Sequence, residues 1–94
     1  MGAADMPVSE MVDAVVRAAR AWLAMQKGRM AIVTTSRLKA VSRDLISSTV
    51  DRIAVLSVLS SIAWIVDLDG RVWKLDRVET CKRRHRKRLV YVRV

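Results

Sequence analysis

Lys82-Arg83-Arg84-His85-Arg86-Lys87-Arg88 sets six permanent cations into seven consecutive residues. The chemistry open to such a run is polyanion binding, because a concentrated positive field attracts phosphates and gains free energy by releasing their counterions. The charge is segregated as well as large. Residues 1–76 hold ten Lys/Arg against eight Asp/Glu, and residues 77–94 hold eight against Glu79 alone, so +7 of the formal +9 lies in the last 18 residues. A solvated charge run or a localisation tag is the plainer reading, but such tags usually lie in tails with no strand after them. Here Leu89-Val90-Tyr91-Val92-Arg93-Val94 follows, with the β-branched and aromatic residues of a strand. A basic loop returning into a strand is therefore the sharper expectation, and DNA or RNA is the partner it points to.

The other reactive side chains assemble nothing comparable. His85 is the only histidine and its cationic neighbours repel a metal ion. Asp67, Asp69, Asp76 and Glu79 are carboxylates of the kind that gather divalent cations in two-metal nucleases, yet turn positions and strand-edge charges account for them more simply. Gly28 and Gly70 are isolated, so there is no glycine-rich phosphate loop. No enzyme activity, no metal and no cofactor is expected. Cys81 has no second cysteine for a disulfide or a zinc site and reads as a half-buried strand residue of a reducing, intracellular setting. Of the rings that could stack on bases, Trp22 belongs to a helical core stripe, and only Trp73 and Tyr91 lie near the basic run.

Ninety-four residues with one Pro, three Gly and 52% hydrophobic side chains make one folded domain with a core of about 20 to 30 side chains. The longest uncharged stretch, residues 53–66, spans 14 residues, too few to cross a bilayer. Residues 1–7 lack the charged head and apolar block of a secretory signal, and Gly2 lacks the downstream hydroxyl of a lipidation site. They read as a flexible N-terminus, and the setting as cytoplasmic, on the nucleoid.

Over residues 8–27 the apolar positions Val8, Val12, Val15, Val16, Ala19, Trp22 and Leu23 recur at helical spacing, with Ser9 as N-cap and Gly28 as C′ residue. A short strand follows over residues 29–34. Thr35 or Ser36 caps a second helix running to Arg43, with Leu38 and Val41 inward and Arg37, Lys39 and Arg43 outward. Ser48-Thr49-Val50-Asp51 has capping-box spacing and opens a third helix over residues 48–62, about four residues after the second, with Val55, Leu56, Leu59, Ile62 and Ala63 on one face. The period then changes from helical to alternating. Trp64-Ile65-Val66-Asp67-Leu68 and Arg71-Val72-Trp73-Lys74-Leu75 flank the hairpin signal Asp69-Gly70. Two placements fit: that hairpin with residues 77–94 as a third strand, or a third helix running to Val66 and a hairpin of residues 77–82 and 88–94 with the basic run at its tip.

This order of elements resembles the winged-helix branch of the helix-turn-helix proteins. The resemblance covers about residues 8–94 and rests on Ser36-Arg37-Leu38-Lys39-Ala40-Val41, the capped third helix, and the block from Trp64 to Trp73. Size and Arg/Val-rich composition are similar to small winged-helix proteins of archaea and their viruses. The resemblance implies an α+β domain of three helices with a small antiparallel sheet, residues 77–94 supplying a basic wing or a C-terminal strand. It also implies a third helix that enters the major groove of duplex DNA by its leading end, Ser47, Ser48, Thr49 and Arg52, and a wing on phosphate. The expected phosphate contacts are Lys82, Arg83, Arg84, Arg86, Lys87 and Arg88. Arg37, Lys39, Arg43, Ser48, Thr49 and Arg52 would set orientation on the double-stranded DNA, in a transcriptional regulator or chromatin-type factor. RNA or ribosome binding and a protein-assembly module are the alternatives. Met11, Met25 and Ala18 beside the first helix's stripe, with Ile53 and Trp64 on the third, admit a homodimer.

Overall fold

In the computed structural model, which describes residues 8–42, 52–81 and 86–94, the chain is α+β. The described elements are α1 (Val8–Ala24), β1 (Met30–Val33), α2 (Thr35–Val41), α3 (Arg52–Ser60), β2 (Trp64–Val66), β3 (Val72–Cys81) and β4 (Arg86–Arg93). The strands form one antiparallel sheet in the order β1-β4-β3-β2. Among the described residues no helix is long and apolar enough to cross a membrane.

Strand alternation divides the sheet into two faces. Ala31, Val33, Ile65, Trp73, Leu89 and Tyr91 are buried on the helical side, where Ala14, Val15, Ala18, Ala19, Leu23, Leu38, Val55 and Leu59 complete the core. The stripe of α1 is turned toward alanine relative to expectation: Ala14 and Ala18 are buried, whereas Val12 and Val16 are half-buried. Small side chains shorten the distance at which a helix can pack. Tyr91 seats its hydroxyl on α3, donating to the Leu59 carbonyl at 3.3 Å, and burial pushes its phenol up to about 12.

Several boundaries differ from those read off the pattern. α1 ends at Ala24 rather than Lys27, so Gly28 lies beyond its C′ position, and Ser9 falls inside the first turn. Thr34, one residue earlier than expected, caps α2 by accepting from the Arg37 N–H at 3.2 Å. α3 ends at Ser60, which excludes a helix continuing to Val66. Ile62 is half-buried and Ala63 exposed beyond it, and Trp64 opens β2 instead of ending a helix. The expected second-helix end at Arg43, the short gap before the third helix and its capping box lie outside the described residues.

Both proposed hairpins are present, because β3 serves each of them. β2 and β3 pair Trp64↔Lys74, Ile65↔Trp73 and Val66↔Val72. Their connection is a three-residue loop, not a two-residue turn: the Asp67 N–H still donates to the Arg71 carbonyl at 2.8 Å, leaving Leu68, Asp69 and Gly70 outside the ladder. Gly70 closes it at φ +87, the left-handed conformation that a three-residue hairpin loop requires.

The register also shows where each edge strand aims its unpaired groups. The outward carbonyl of Ile32 on β1 accepts from the Trp22 indole N–H at 3.0 Å and from Arg37 at 3.0 Å. The outward carbonyl of Val66 on β2 accepts from Arg20 Nε at 2.8 Å. α1 thus sends Trp22 to one edge and Arg20 to the other, blunting both against strand addition.

Candidate nucleic-acid interface

β1 pairs only with residues 89–92 of β4, and β2 only with residues 72–74 of β3. β3 and β4 continue past both neighbours, pairing Arg77↔Val90, Val78↔Leu89, Glu79↔Arg88, Thr80↔Lys87 and Cys81↔Arg86. The result is a two-stranded ribbon leading to residues 82–85. The register shifts between Leu75 and Arg77, making Asp76 a bulge at the ribbon's root. A bulge there increases the local twist and re-aims the ribbon relative to the sheet.

The expected basic loop of residues 82–88 is therefore partly strand: Arg86, Lys87 and Arg88 belong to β4. Lys87 is exposed and makes no ion pair among the described residues, whereas Arg88 donates through Nε to Glu79 Oε1 at 2.8 Å. Glu79 Oε2 also accepts from Arg77 Nε at 2.9 Å, and Arg77 in turn bonds Asp76. Hydrogen bonds from Arg77 and then Arg88 hold the Glu79 carboxyl below the usual carboxylate range, so it is anionic at neutral pH. The only acid of the last 18 residues thus occupies two cations of the ribbon.

On the helices, Arg37 is committed to structure. Besides capping Ile32, its guanidinium lies 5.6 Å from the centroid of the Trp22 ring, within cation–π reach. It is consequently a poorer phosphate contact than its place on α2 suggested. Lys39 is half-buried in the last turn of α2, and Arg52 is the first residue of α3. The remaining expected contacts, Lys82, Arg83, Arg84, Arg43, Ser48 and Thr49, lie outside the described residues. Ser60 and Ser61 turn their hydroxyls back on the carbonyls of Ser57 and Val58 at 3.1 and 2.7 Å, which leaves that end of α3 few groups aimed outward.

The aromatic platform is overturned. Trp73 and Tyr91 are wholly buried and cannot stack on bases. Their burial follows from alternation, which places both on the core side of the two central strands.

What sequence reasoning missed is the buried charge in the β2–β3 loop, at the end of β3 opposite the ribbon. The Asp67 carboxylate accepts four hydrogen bonds: from the N–H of Asp69 at 2.8 Å and of Arg71 at 3.0 Å, from Arg71 Nε at 2.9 Å and from the Trp73 indole at 2.9 Å. Burial would raise this carboxyl, but the bonds from Trp73, Arg71 and Asp69 outweigh it and hold it below the ordinary 3.8. Arg71 then spans to α1, donating to the Ala24 carbonyl at 2.8 Å. The last turn of α1 has no base of its own, so Arg71 supplies the cation that its carbonyl end favours. The acid is spoken for within the fold, which removes it from any cation site. Its sequence signal was an acid at the start of a hairpin loop, four residues before an arginine and six before a tryptophan.

Glu79→Gln is expected to free Arg77 and Arg88 for phosphate, steepening the logarithmic salt dependence of duplex binding by about 1 to 2 units. Titrations of both proteins across a salt series check this, and identical slopes would remove Glu79 from the interface.

Compared with protein-family models, with curated proteins and with solved structures, the chain gives no match.

Proposed function

We propose that this chain is a winged-helix protein that binds double-stranded DNA, led by phosphate contacts, and acts by where it sits on the duplex. One observation carries the reading: the +7 end of the chain coincides with a ribbon that outruns the rest of the sheet. Such a ribbon can reach a phosphate backbone while the helices lie against the same duplex.

The element order supports it as well. α1, β1, α2 and α3 precede the long β3–β4 hairpin, and β1 lies beside β4, an order in which that hairpin would serve as the wing, with β2 at the far edge. The leading end of α3, with Arg52, is the part offered to the major groove. Because the described part of α3 presents few groups that read base edges, the contacts position the protein more than they select a sequence.

The test is fluorescence anisotropy of a random-sequence duplex and of a structured RNA across one salt series. Six phosphate contacts give a slope of about −5 for log K against log salt. Duplex binding at least as tight as RNA binding, with that slope, is the expected result. Tighter binding to structured RNA would replace DNA by RNA as the partner, and no binding near physiological salt would end the reading.

A further inference from the structure

The face of the sheet turned away from the helices carries Met30 and Ile32 on β1, Val92 on β4, Val72 and Lys74 on β3, and Trp64 and Val66 on β2, with Val94 beside Val72. Met30, Trp64, Val66, Val72 and Val94 are between 36% and 75% exposed. Val90, which alternation puts on the same face, is only 1% exposed, so the face is covered at that point and open mainly over β2 and β3. A soluble monomer's largest apolar patch is about 300–600 Å² and is often functional, and these five residues present on the order of 500 Å², within that range.

We infer that this face is a homodimer interface in which Trp64 of each copy seats in a groove of the other. Beside Trp64 the face has an open groove of about 260 Å³ lined by Lys74, Leu75, Asp76, Val92 and Val94. That is below the roughly 300–1,000 Å³ of pockets for small-molecule ligands and suits one large side chain. Knob and hole on one surface are what a two-fold contact requires, since each copy must present both.

The chemistry of the pair matches. The indoles of Trp22 and Trp73 have acceptors, in Ile32 and Asp67. Trp64 is the half-exposed tryptophan, with the Lys74 ammonium 5.4 Å from its ring centroid and no acceptor among the described residues. The groove supplies both an ammonium for the incoming ring and, in Asp76, a carboxylate for its N–H.

Area and charge select a second copy as the occupant. Two such patches total about 1,000 Å² before Lys74 and Asp76 at their rim are added, which reaches the roughly 1,000 Å² that separates a stable interface from a chance contact. Alternation along β4 and the pairing with β3 put Arg77 and Arg88 on the same side as Lys74, but Asp76 and Glu79 hold those two arginines, so three cations meet two carboxylates there and the repulsion expected of two strongly basic chains is reduced. Association through the outer edges of β1 and β2 is disfavoured by Arg20, Trp22 and Arg37. The inference stands independently of the DNA reading.

Sedimentation equilibrium of the full chain from about 1 to 100 µM, the range that resolves a micromolar Kd, is the test. The expected mass is twice the 10.6 kDa of one chain. Trp64→Ala weakens the dimer by about 30-fold or more, as loss of a central aromatic anchor does. Val66→Lys breaks it while keeping Trp64, and Met25→Lys, off this face, leaves it intact. Thermal melts confirm that each variant is folded. A monomeric wild type at the top of the range overturns the proposal, whether the face is bare or meets a different protein. So does a dimer that Trp64→Ala and Val66→Lys both leave unchanged.

Discussion

Asp67→Ala is expected to cost about 3–5 kcal/mol of folding stability, the cost of leaving one partner of a buried ion pair behind. For a domain of this size that lowers Tm by about 15 °C or more, a large part of the roughly 5–15 kcal/mol that holds such a domain together. The Asp67 side chain is fully buried and Arg71 is 28% exposed, so the stranded arginine can recover some hydration and the lower end of the range applies. Asp67→Asn keeps one acceptor but turns an NH₂ toward Arg71 or Trp73, and should fall between wild type and Ala. Arg71→Met tests the other half, since it also removes the cation from the carbonyl end of α1. Urea or thermal unfolding with an unchanged midpoint for Asp67→Ala would show that the network adds nothing.

The same group gives stability a pH dependence with a defined sign. Its carboxyl is held below its ordinary value in the fold, so its contribution is complete above the unfolded value, about 3.9, and is lost as pH falls through the folded one. Between about pH 5 and pH 3, where the unfolded chain begins to take up protons first, wild-type Tm should drop more steeply than that of Asp67→Asn. Parallel curves would mean that other carboxylates set the acid limit.

Replacing Lys82, Arg83, Arg84, Arg86, Lys87 and Arg88 by glutamine is expected to flatten the salt slope from about −5 by several units. A fourfold rise in salt weakens wild-type binding by about 10³ at that slope, and should weaken the variant by less than about tenfold. Folding stability should hold, because Lys87 and Arg88 are exposed and the ion pair of Arg88 with Glu79 lies at the surface, where such pairs add little. An unchanged slope in a folded variant would show that the basic run is not the working surface. The assembly role would then rest on the apolar sheet face.

These effects divide along what a linear pattern can carry. The helical period of α1, the alternation in the strands and the Asp69-Gly70 signal are local, depending on neighbours within about four residues, and the described helices and strands lie within the segments whose periods indicated them. Ends were less legible, because they depend on capping groups brought from elsewhere. α1 stops at Ala24 where Arg71, 47 residues later in the chain, meets its carbonyls. The cationic end was legible because charge is a property of composition. Its mounting was not, since nothing near residue 76 announces a bulge or says that β3 will outrun β2.

Periodicity and charge are additive along a chain, so the α+β class, the first helix and strand, and the concentration of cations at one end could be read from the residues, while two placements of the segment after the third helix stayed open. Only the tertiary structure decided the roles of the residues between. It placed Trp73 and Tyr91 in the core and Trp64 on the surface, made Asp67 an anchor, set Arg37 at a strand edge and gave Glu79 two arginines of the ribbon to hold. Each of those assignments depends on strand register. Register is fixed by which faces can be buried together, a condition that the whole sheet and the helices meet jointly.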